Sequence, residues 1–182
     1  MSVWGSLGAE NMNEVMCRFI ELAGKKPGFT LVHSAGIEGY EKMVEHLRRT
    51  VPNYEKNGMD VREYIYDMPR VMAAADLVLC RAGASTISEL TYMHKPTIFV
   101  PSPFVTNNHQ FKNAKVVEDA GGALIFEEGW FEPKELLKAV NDILSSDDKL
   151  EKMSAAMAKL AKPEATDMIC DRIFSLLAEN RK

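Results

Sequence analysis

Four stretches of this chain carry residue types and spacings suited to holding an anion or a polyol. The first is Gly5-Ser-Leu-Gly-Ala9. Its two glycines, Gly5 and Gly8, permit a tight turn with close backbone approach. A helix starting behind them would aim free N–H groups and a positive dipole end at a phosphate. The pattern is neither G-x-G-x-x-G nor a P-loop, because no Gly-Lys-Ser/Thr follows. A bare strand-to-helix turn without a ligand is an equal reading of the same residues. The second stretch is Cys80-Arg-Ala-Gly-Ala-Ser-Thr-Ile-Ser-Glu89. Gly83 and Ala84 leave room beside the backbone, and the N–H groups around Ser85 and Thr86 would stand at a helix start, where a pyrophosphate is favoured. Glu89, one turn further in, could accept two hydrogen bonds from a ribose diol. Thr86-x-x-Glu89 also has the form of a capping box, so spacing alone leaves Glu89 as either ribose acceptor or cap.

The third stretch runs from Pro101 to Asn113 and reaches His109-Gln110 at a helix start, with Asn113 a turn on. Side-chain amides both donate and accept, which suits sugar hydroxyls. His109 taken alone reads as a surface histidine. No second His, Cys or carboxylate sits at ligand spacing from it, so no metal is expected. The fourth stretch, His33-Ser-Ala-Gly36, closes a strand. Ile65 closes another, and its backbone could read a planar base.

These residues need a scaffold that brings loops together. Phe29–His33, Val61–Ile65, Leu77–Cys80, Thr97–Val100 and Gly122–Phe126 read as strands, and Ser2-Val-Trp4 as a short first one. Helical spacing covers 11–23, 86–92, 109–120 (stopped by Gly121-Gly122), 135–144 after Pro133, 147–161 and 165–179. Strands alternating with helices predict an α/β domain with a parallel sheet. Its ligands would sit outside the C-terminal strand ends, where the loops after Trp4, His33, Cys80 and Val100 share a crevice. Residues 1–182 read as a single domain. The first strand is shorter than the usual five or six residues, and we expect the chain to be a piece cut just inside it. Met12, Met16, Met68 and Met72 fall at helical spacing and are expected in the core. The last helix carries an apolar face of Met168, Ile169, Ile173, Leu176 and Leu177, which we expect to be exposed.

Composition excludes other classes. Of 182 residues, 46% are apolar and 26% charged, which suits a globular protein rather than a disordered chain. A net charge of −4 lacks the basic footprint of a nucleic-acid binder. No apolar run reaches the ~18 residues of a membrane span, and no leader pattern opens the chain, so a cytoplasmic protein is expected. Three separated cysteines, Cys17, Cys80 and Cys170, with no C-x-x-C pair, argue against a disulfide framework or zinc ribbon.

Gly5-Ser-Leu-Gly-Ala9, Tyr64-Ile-Tyr-Asp-Met68, Arg81-Ala-Gly-Ala-Ser-Thr-Ile-Ser-Glu89 and His109-Gln-x-x-Asn113 occur here in one order. Together they resemble the C-terminal domain of the MurG family, which transfers GlcNAc from UDP-GlcNAc to lipid I and so makes lipid II for peptidoglycan. The resemblance runs over nearly the whole chain. It implies a Rossmann-like half of a GT-B glycosyltransferase, with UDP-GlcNAc as ligand and neither cofactor nor metal. It further implies that Ser6 touches the phosphates, that Ile65 binds uracil through its backbone, and that Ala84, Ser85 and Thr86 line the diphosphate. Glu89 would hold the ribose, and His109, Gln110 and Asn113 would address the GlcNAc. Gly5, Gly8, His33, Gly36, Arg81 and Gly83 would surround them. Many relatives carry glutamine at position 109 and a larger apolar residue at position 85. The acceptor residues and the lipid-facing surface would belong to an N-terminal domain whose glycine-rich motifs this chain lacks. No catalytic residue is therefore expected in this half. The full-length enzyme would act by displacement with inversion at the anomeric carbon, and contact with the cytoplasmic membrane face would come only through it. Two further readings remain open: a catalytic subunit of a two-chain UDP-GlcNAc transferase, and a non-enzymatic nucleotide-binding module.

Overall fold

In the computed structural model the described residues are 1–5, 8–24 and 27–179. Along the chain they form β1 (Ser2–Val3), α1 (Glu10–Ala23), β2 (Leu31–Ser34), α2 (Tyr40–Thr50), β3 (Met59–Arg62), α3 (Met68–Ala74) and β4 (Val78–Cys80). There follow α4 (Ala84–Tyr92), β5 (Thr97–Phe99), α5 (His109–Asp119), β6 (Ala123–Ile125), α6 (Pro133–Leu144), α7 (Asp147–Leu160) and α8 (Ala165–Glu179). The six strands pair in parallel in the order β3-β2-β1-β4-β5-β6. This is the doubly wound α/β arrangement, and chain direction across the sheet reverses between β1 and β4.

A parallel sheet must be covered on both faces, and the two apolar clusters do this. On one face Met12, Met16, Phe19 and Ile20 of α1 pack with Met43 and Leu47 of α2 and with Leu136 and Val140 of α6. On the other, Met72 of α3, Leu90 of α4, Ala114 and Val117 of α5 and Met157 of α7 cover Val78, Cys80 and Phe99. Met12, Met16 and Met72 are thus core residues, and Met68 is partly buried against the cluster that holds Met72. Pro133 opens α6, and the Glu135 carboxylate accepts from the Glu132 N–H at 2.8 Å. Ser146 caps α7 by accepting from the Lys149 N–H.

Several elements differ from the sequence reading. β2 is displaced toward Ser34, and β3 ends at Arg62 rather than Ile65. The cause is Gly58, whose φ of +85° turns the chain into register so that its carbonyl accepts from Leu31 N–H. Pairing of Leu31–Ser34 with Met59–Arg62 then uses up β2, and Ile65 falls in the loop beyond. Helix α2 has no counterpart in the sequence reading. It is strongly charged, with only Met43, Val44 and Leu47 buried, a stripe too narrow to announce itself. Helix α8 leaves Met168, Ile169, Ile173, Phe174, Leu176 and Leu177 exposed.

Cys17 and Cys80 are buried and Cys170 is exposed. Burial, reinforced by the charges of Glu21 and Glu14, pushes the Cys17 thiol up to about 11, and burial raises that of Cys80 as well. Among the described residues, no helix is long and apolar enough to cross a membrane. No group of three or more His, Cys, Asp or Glu among them is placed to hold a metal ion.

His33 is wholly buried, with Nδ1 2.7 Å from Ser2 Oγ, and Nε2 has no partner among the described residues. Its side chain lies within the sheet's packing and is therefore not a ligand group of the crevice, contrary to its place among the candidates. Burial first, and the nearby amino terminus second, lower its pKa from 6.5 to about 3. The neutral form is the one that folds. Its contribution is complete above the unfolded value of 6.5 and is lost as pH falls from there toward 3. Urea melts should therefore show acid destabilisation below pH 6.5, at up to ~1.4 kcal/mol per pH unit from this group. A folded His33→Asn variant should show a shallower acid slope. An unchanged slope would place the sensitivity elsewhere.

Candidate functional site

The crevice lies where topology requires it, outside the C-terminal ends of β1 and β4. It is a cleft of about 150 Å³ lined by Val3, Gly5, Ser34, Tyr64, Met68, Met72, Cys80, Arg81, Thr86 and Glu89. Three of the four sequence stretches thus meet, with Gly5 after β1, Ser34 at the end of β2, and Arg81, Thr86 and Glu89 after β4. Gly5 has φ +95° and open space where a Cβ would be, so the turn leaves its ligand side clear. Ser6 lies outside the described residues.

Helices α1, behind Ala9, and α4, behind Gly83, start at this edge without a side-chain cap, which α2, α3 and α5 also lack. The first N–H groups of a helix have no intrahelical acceptor. With no Ser, Thr or Asp to satisfy them, they remain available to an anion. In α4 these are the N–H groups of Ala84, Ser85 and Thr86, since Ile87 is the first to donate back, to Gly83 C=O at 2.9 Å. The Thr86–Glu89 capping box does not form, because Gly83 is the N-cap and Glu89 lies well inside the helix. Glu89 is exposed and makes no hydrogen bond or ion pair among the described residues. Its carboxylate is therefore uncommitted.

Ile65 is 2% exposed, its side chain buried in the second core cluster. None of the hydrogen bonds among the described residues uses its N–H or C=O, so its backbone polar groups are left without a protein partner. Beside it Tyr64 and Tyr66 pack edge to face at 4.9 Å between centroids. The sequence reading passed over Tyr64 as a lining residue, although its place in Tyr64-Ile-Tyr66 at a strand end offered the signal.

At the start of α5 the two amides also have protein partners. Gln110 Oε1 accepts from Ser102 N–H at 3.0 Å, and Asn113 Nδ2 donates to Ala82 C=O at 3.4 Å. Both amides thereby hold the loops after β5 and β4. His109 is exposed, with Nδ1 2.9 Å from Thr106 C=O. Asn113 and Ala84 line an adjoining groove of about 620 Å³ between α4 and α5, and Glu89 lines both spaces.

Gly8, Gly36 and Gly39 serve packing. Gly8 has φ +78°, and a Cβ there would overlap the Ala35 carbonyl, so its close approach is to the loop after β2 and not to a ligand. Gly36, also at φ +78°, accepts through its C=O from Gly39 and Tyr40 N–H. Asn13 Nδ2 donates to Ala35 C=O at 2.8 Å and so clamps α1 to that loop. Gly39 stands against the same amide. Asn13 escaped the sequence reading because its partner is a backbone carbonyl on another loop. Gly83 has ordinary extended backbone, and a Cβ there would meet only Thr86 Oγ1 at 3.7 Å. A separate groove of about 590 Å³ between α1 and α2 contains none of the candidates except Gly8, and Lys42 and Glu10 on its wall pair at 2.7 Å.

Residues 3–169 match the family model of the glycosyltransferase family 28 C-terminal domain. The chain belongs to that family. Among curated proteins it is similar to a UDP-N-acetylglucosamine--N-acetylmuramyl-(pentapeptide) pyrophosphoryl-undecaprenol N-acetylglucosamine transferase of Desulforudis audaxviator, 36% identical over all of this chain and 49% of the relative. The transferase of the same description from Caldicellulosiruptor saccharolyticus is 39% identical over 93% of this chain and 45% of the relative. Among solved structures, MurG of Acinetobacter baumannii superposes with a TM-score of 0.80 at 28% identity, over 96% of this chain and 48% of that one. Staphylococcus aureus MnaA, solved with UDP, shares the fold alone, at a TM-score of 0.69 and 14% identity over 97% of this chain and 45% of that one. The family 28 chain described here spans about half the length of the curated relatives it matches.

Sterics at the glycines give a direct check. In Gly39→Ala the new Cβ would overlap the Asn13 amide and lie 2.9 Å from Ala35 O. This variant should lose ~1–3 kcal/mol in urea melts, as overpacking does. Gly83→Ala should lose less than about 1 kcal/mol, the cost of a poorer N-cap. Equal losses at the two positions would contradict this division between packing and ligand-side glycines.

Proposed function

We propose that this chain is the UDP-GlcNAc-binding donor half of a MurG-like inverting transferase that adds GlcNAc to lipid I. What carries the reading is the convergence of an uncapped α4 start, an uncommitted Glu89 and the unpartnered backbone of Ile65 around one crevice. These are an anion receptor, a diol acceptor and a base reader in the order in which a nucleoside diphosphate presents its parts. The relatives' printed names, which describe an N-acetylglucosamine transferase acting on a pyrophosphoryl-undecaprenol acceptor, support the sugar and the acceptor.

On this reading uracil lies against Tyr64 and pairs with the Ile65 backbone. The ribose hydroxyls donate to Glu89. The diphosphate rests on the N–H groups of Ala84, Ser85 and Thr86, with the Gly5 turn on its other side and Arg81 beside it, and Ser6 is proposed as a further phosphate contact from the family resemblance alone. The sugar extends toward His109, Gln110 and Asn113. During transfer the acceptor hydroxyl attacks the anomeric carbon from the opposite face, and the bond to the diphosphate oxygen breaks. UDP leaves with that electron pair. The helix-start donors stabilise the negative charge that grows on it. The base that takes the acceptor's proton belongs to an N-terminal acceptor domain. Residues 1–182 then form one domain of a two-domain enzyme, peripheral on the cytoplasmic membrane face. That partner domain would cover the apolar face of α8 and the exposed Phe104 and Trp130 at the sheet edge.

Calorimetry should show UDP and UDP-GlcNAc binding in roughly the 10 μM to mM range. Absence of heat with either ligand at millimolar concentration overturns the reading. Glu89→Ala should keep the fold and weaken UDP about tenfold or more, because losing a charged hydrogen bond costs ~1.5–3 kcal/mol. Unchanged affinity in a folded variant removes Glu89 from the site.

A further inference from the structure

Arg81 is the one cationic side chain lining the crevice among the described residues. It is held from three sides. Nη1 donates to Val100 C=O at 2.9 Å, the same nitrogen lies 2.6 Å from Glu128 Oε2, and the guanidinium carbon stands 5.9 Å from the centroid of Trp4. Arg81 and Glu128 are 15% and 9% exposed, so water screens their interaction weakly. Glu128 comes from the loop after β6, and its Oε1 accepts from Asn11 Nδ2, in the first turn of α1, at 3.2 Å. Its Oε2 accepts no aligned hydrogen bond, which makes the pair a charge contact.

A guanidinium carries five N–H donors in a planar fork suited to phosphate oxygens. Among the described residues the protein engages only Nη1. The other nitrogens are unclaimed, while a buried carboxylate offsets the charge. We propose that Glu128 acts as an electrostatic brake on the donor crevice, setting how much of the Arg81 charge a bound diphosphate meets. This inference rests on the donor reading above. The brake has a chemical use. UDP, the leaving product, gains an ionisation on its terminal phosphate near pH 6 that UDP-GlcNAc lacks. An unopposed Arg81 would therefore hold product more tightly than donor. Glu128 narrows that difference and lets UDP leave.

The test is a titration of uridine, UDP-GlcNAc and UDP into the wild-type chain and into Glu128→Gln, Arg81→Gln and the double variant, with thermal melts of each. Glu128→Gln should tighten UDP about threefold or more, tighten UDP-GlcNAc less, and leave uridine unchanged, following ligand charge. Arg81→Gln should weaken UDP about tenfold with little effect on uridine, and adding Glu128→Gln to it should yield no gain. If Glu128→Gln does not fold, Glu128→Asp, which withdraws the charge by one methylene, should itself raise the preference for UDP over uridine. An unchanged ratio of UDP to uridine affinity in the folded Glu128 variant overturns the brake while leaving the donor reading intact. A wild-type chain that binds none of the three ligands overturns the donor reading and the brake with it.

Discussion

The parallel pairing of β1 with β2 on one side and β4 on the other is the constraint from which the crevice follows. β1 has two residues, and both pair twice: Ser2 with His33 and Leu79, Val3 with Ser34 and Cys80. The chain leaves β1 toward one half of the sheet and returns at β4 toward the other. The loops after these two strands therefore diverge and open a gap. Gly5, after β1, and Arg81, after β4, both line that gap. Two residues carry little ladder energy of their own. The position of β1 depends on burial beneath both helical layers, in which Trp4, Ser2 and His33 are all nearly inaccessible.

Around this gap the loops are braced by side-chain hydrogen bonds and an ion pair. Asn13 ties α1 to the Ala35 carbonyl, while Gly8 and Gly39 leave the space that tie requires. Gln110 and Asn113 pin the loops after β5 and β4. Glu128 joins the loop after β6 to both Arg81 and the first turn of α1. The outcome is a rim held by side-chain contacts, above which two helix starts keep their N–H groups free. The starts of α6 and α7 are bonded by the Glu135 and Ser146 side chains, while α2, α3 and α5 lack a side-chain cap as α1 and α4 do. Rigid bracing of uncommitted donors is the arrangement an anion site needs, since donors already in place need no reorganisation when charge develops.

The exposed surfaces complete this picture. A helix normally buries its apolar stripe, yet α8 leaves six large apolar residues exposed. Phe104 and Trp130 stand exposed at the edge where the crevice opens. The chain covers about half of its curated relatives.

The chain's own residues determine the element types and the chemistry at their ends. Alternating β-branched runs and 3/4-spaced helices announce a parallel α/β fold. The small residues from Gly83 to Thr86, followed by Glu89, mark a helix start fit for a phosphate. Periodicity and composition are local, so these features are legible without coordinates. Strand ends were misplaced at Ile65 because Gly58 sets register through a partner strand. The apolar stripe of helix α2 is hard to read because only Met43, Val44 and Leu47 are buried. What tertiary structure alone decided is which polar groups are spent and which are free. It buried His33 beneath the sheet, gave Gly8 to Ala35, and engaged Gln110 and Asn113 in bracing loops. It also brought Glu128 against Arg81 and left Glu89 uncommitted. The reason is physical: burial, partnership and charge depend on distances between segments far apart in the chain, and those distances exist only once the sheet has formed.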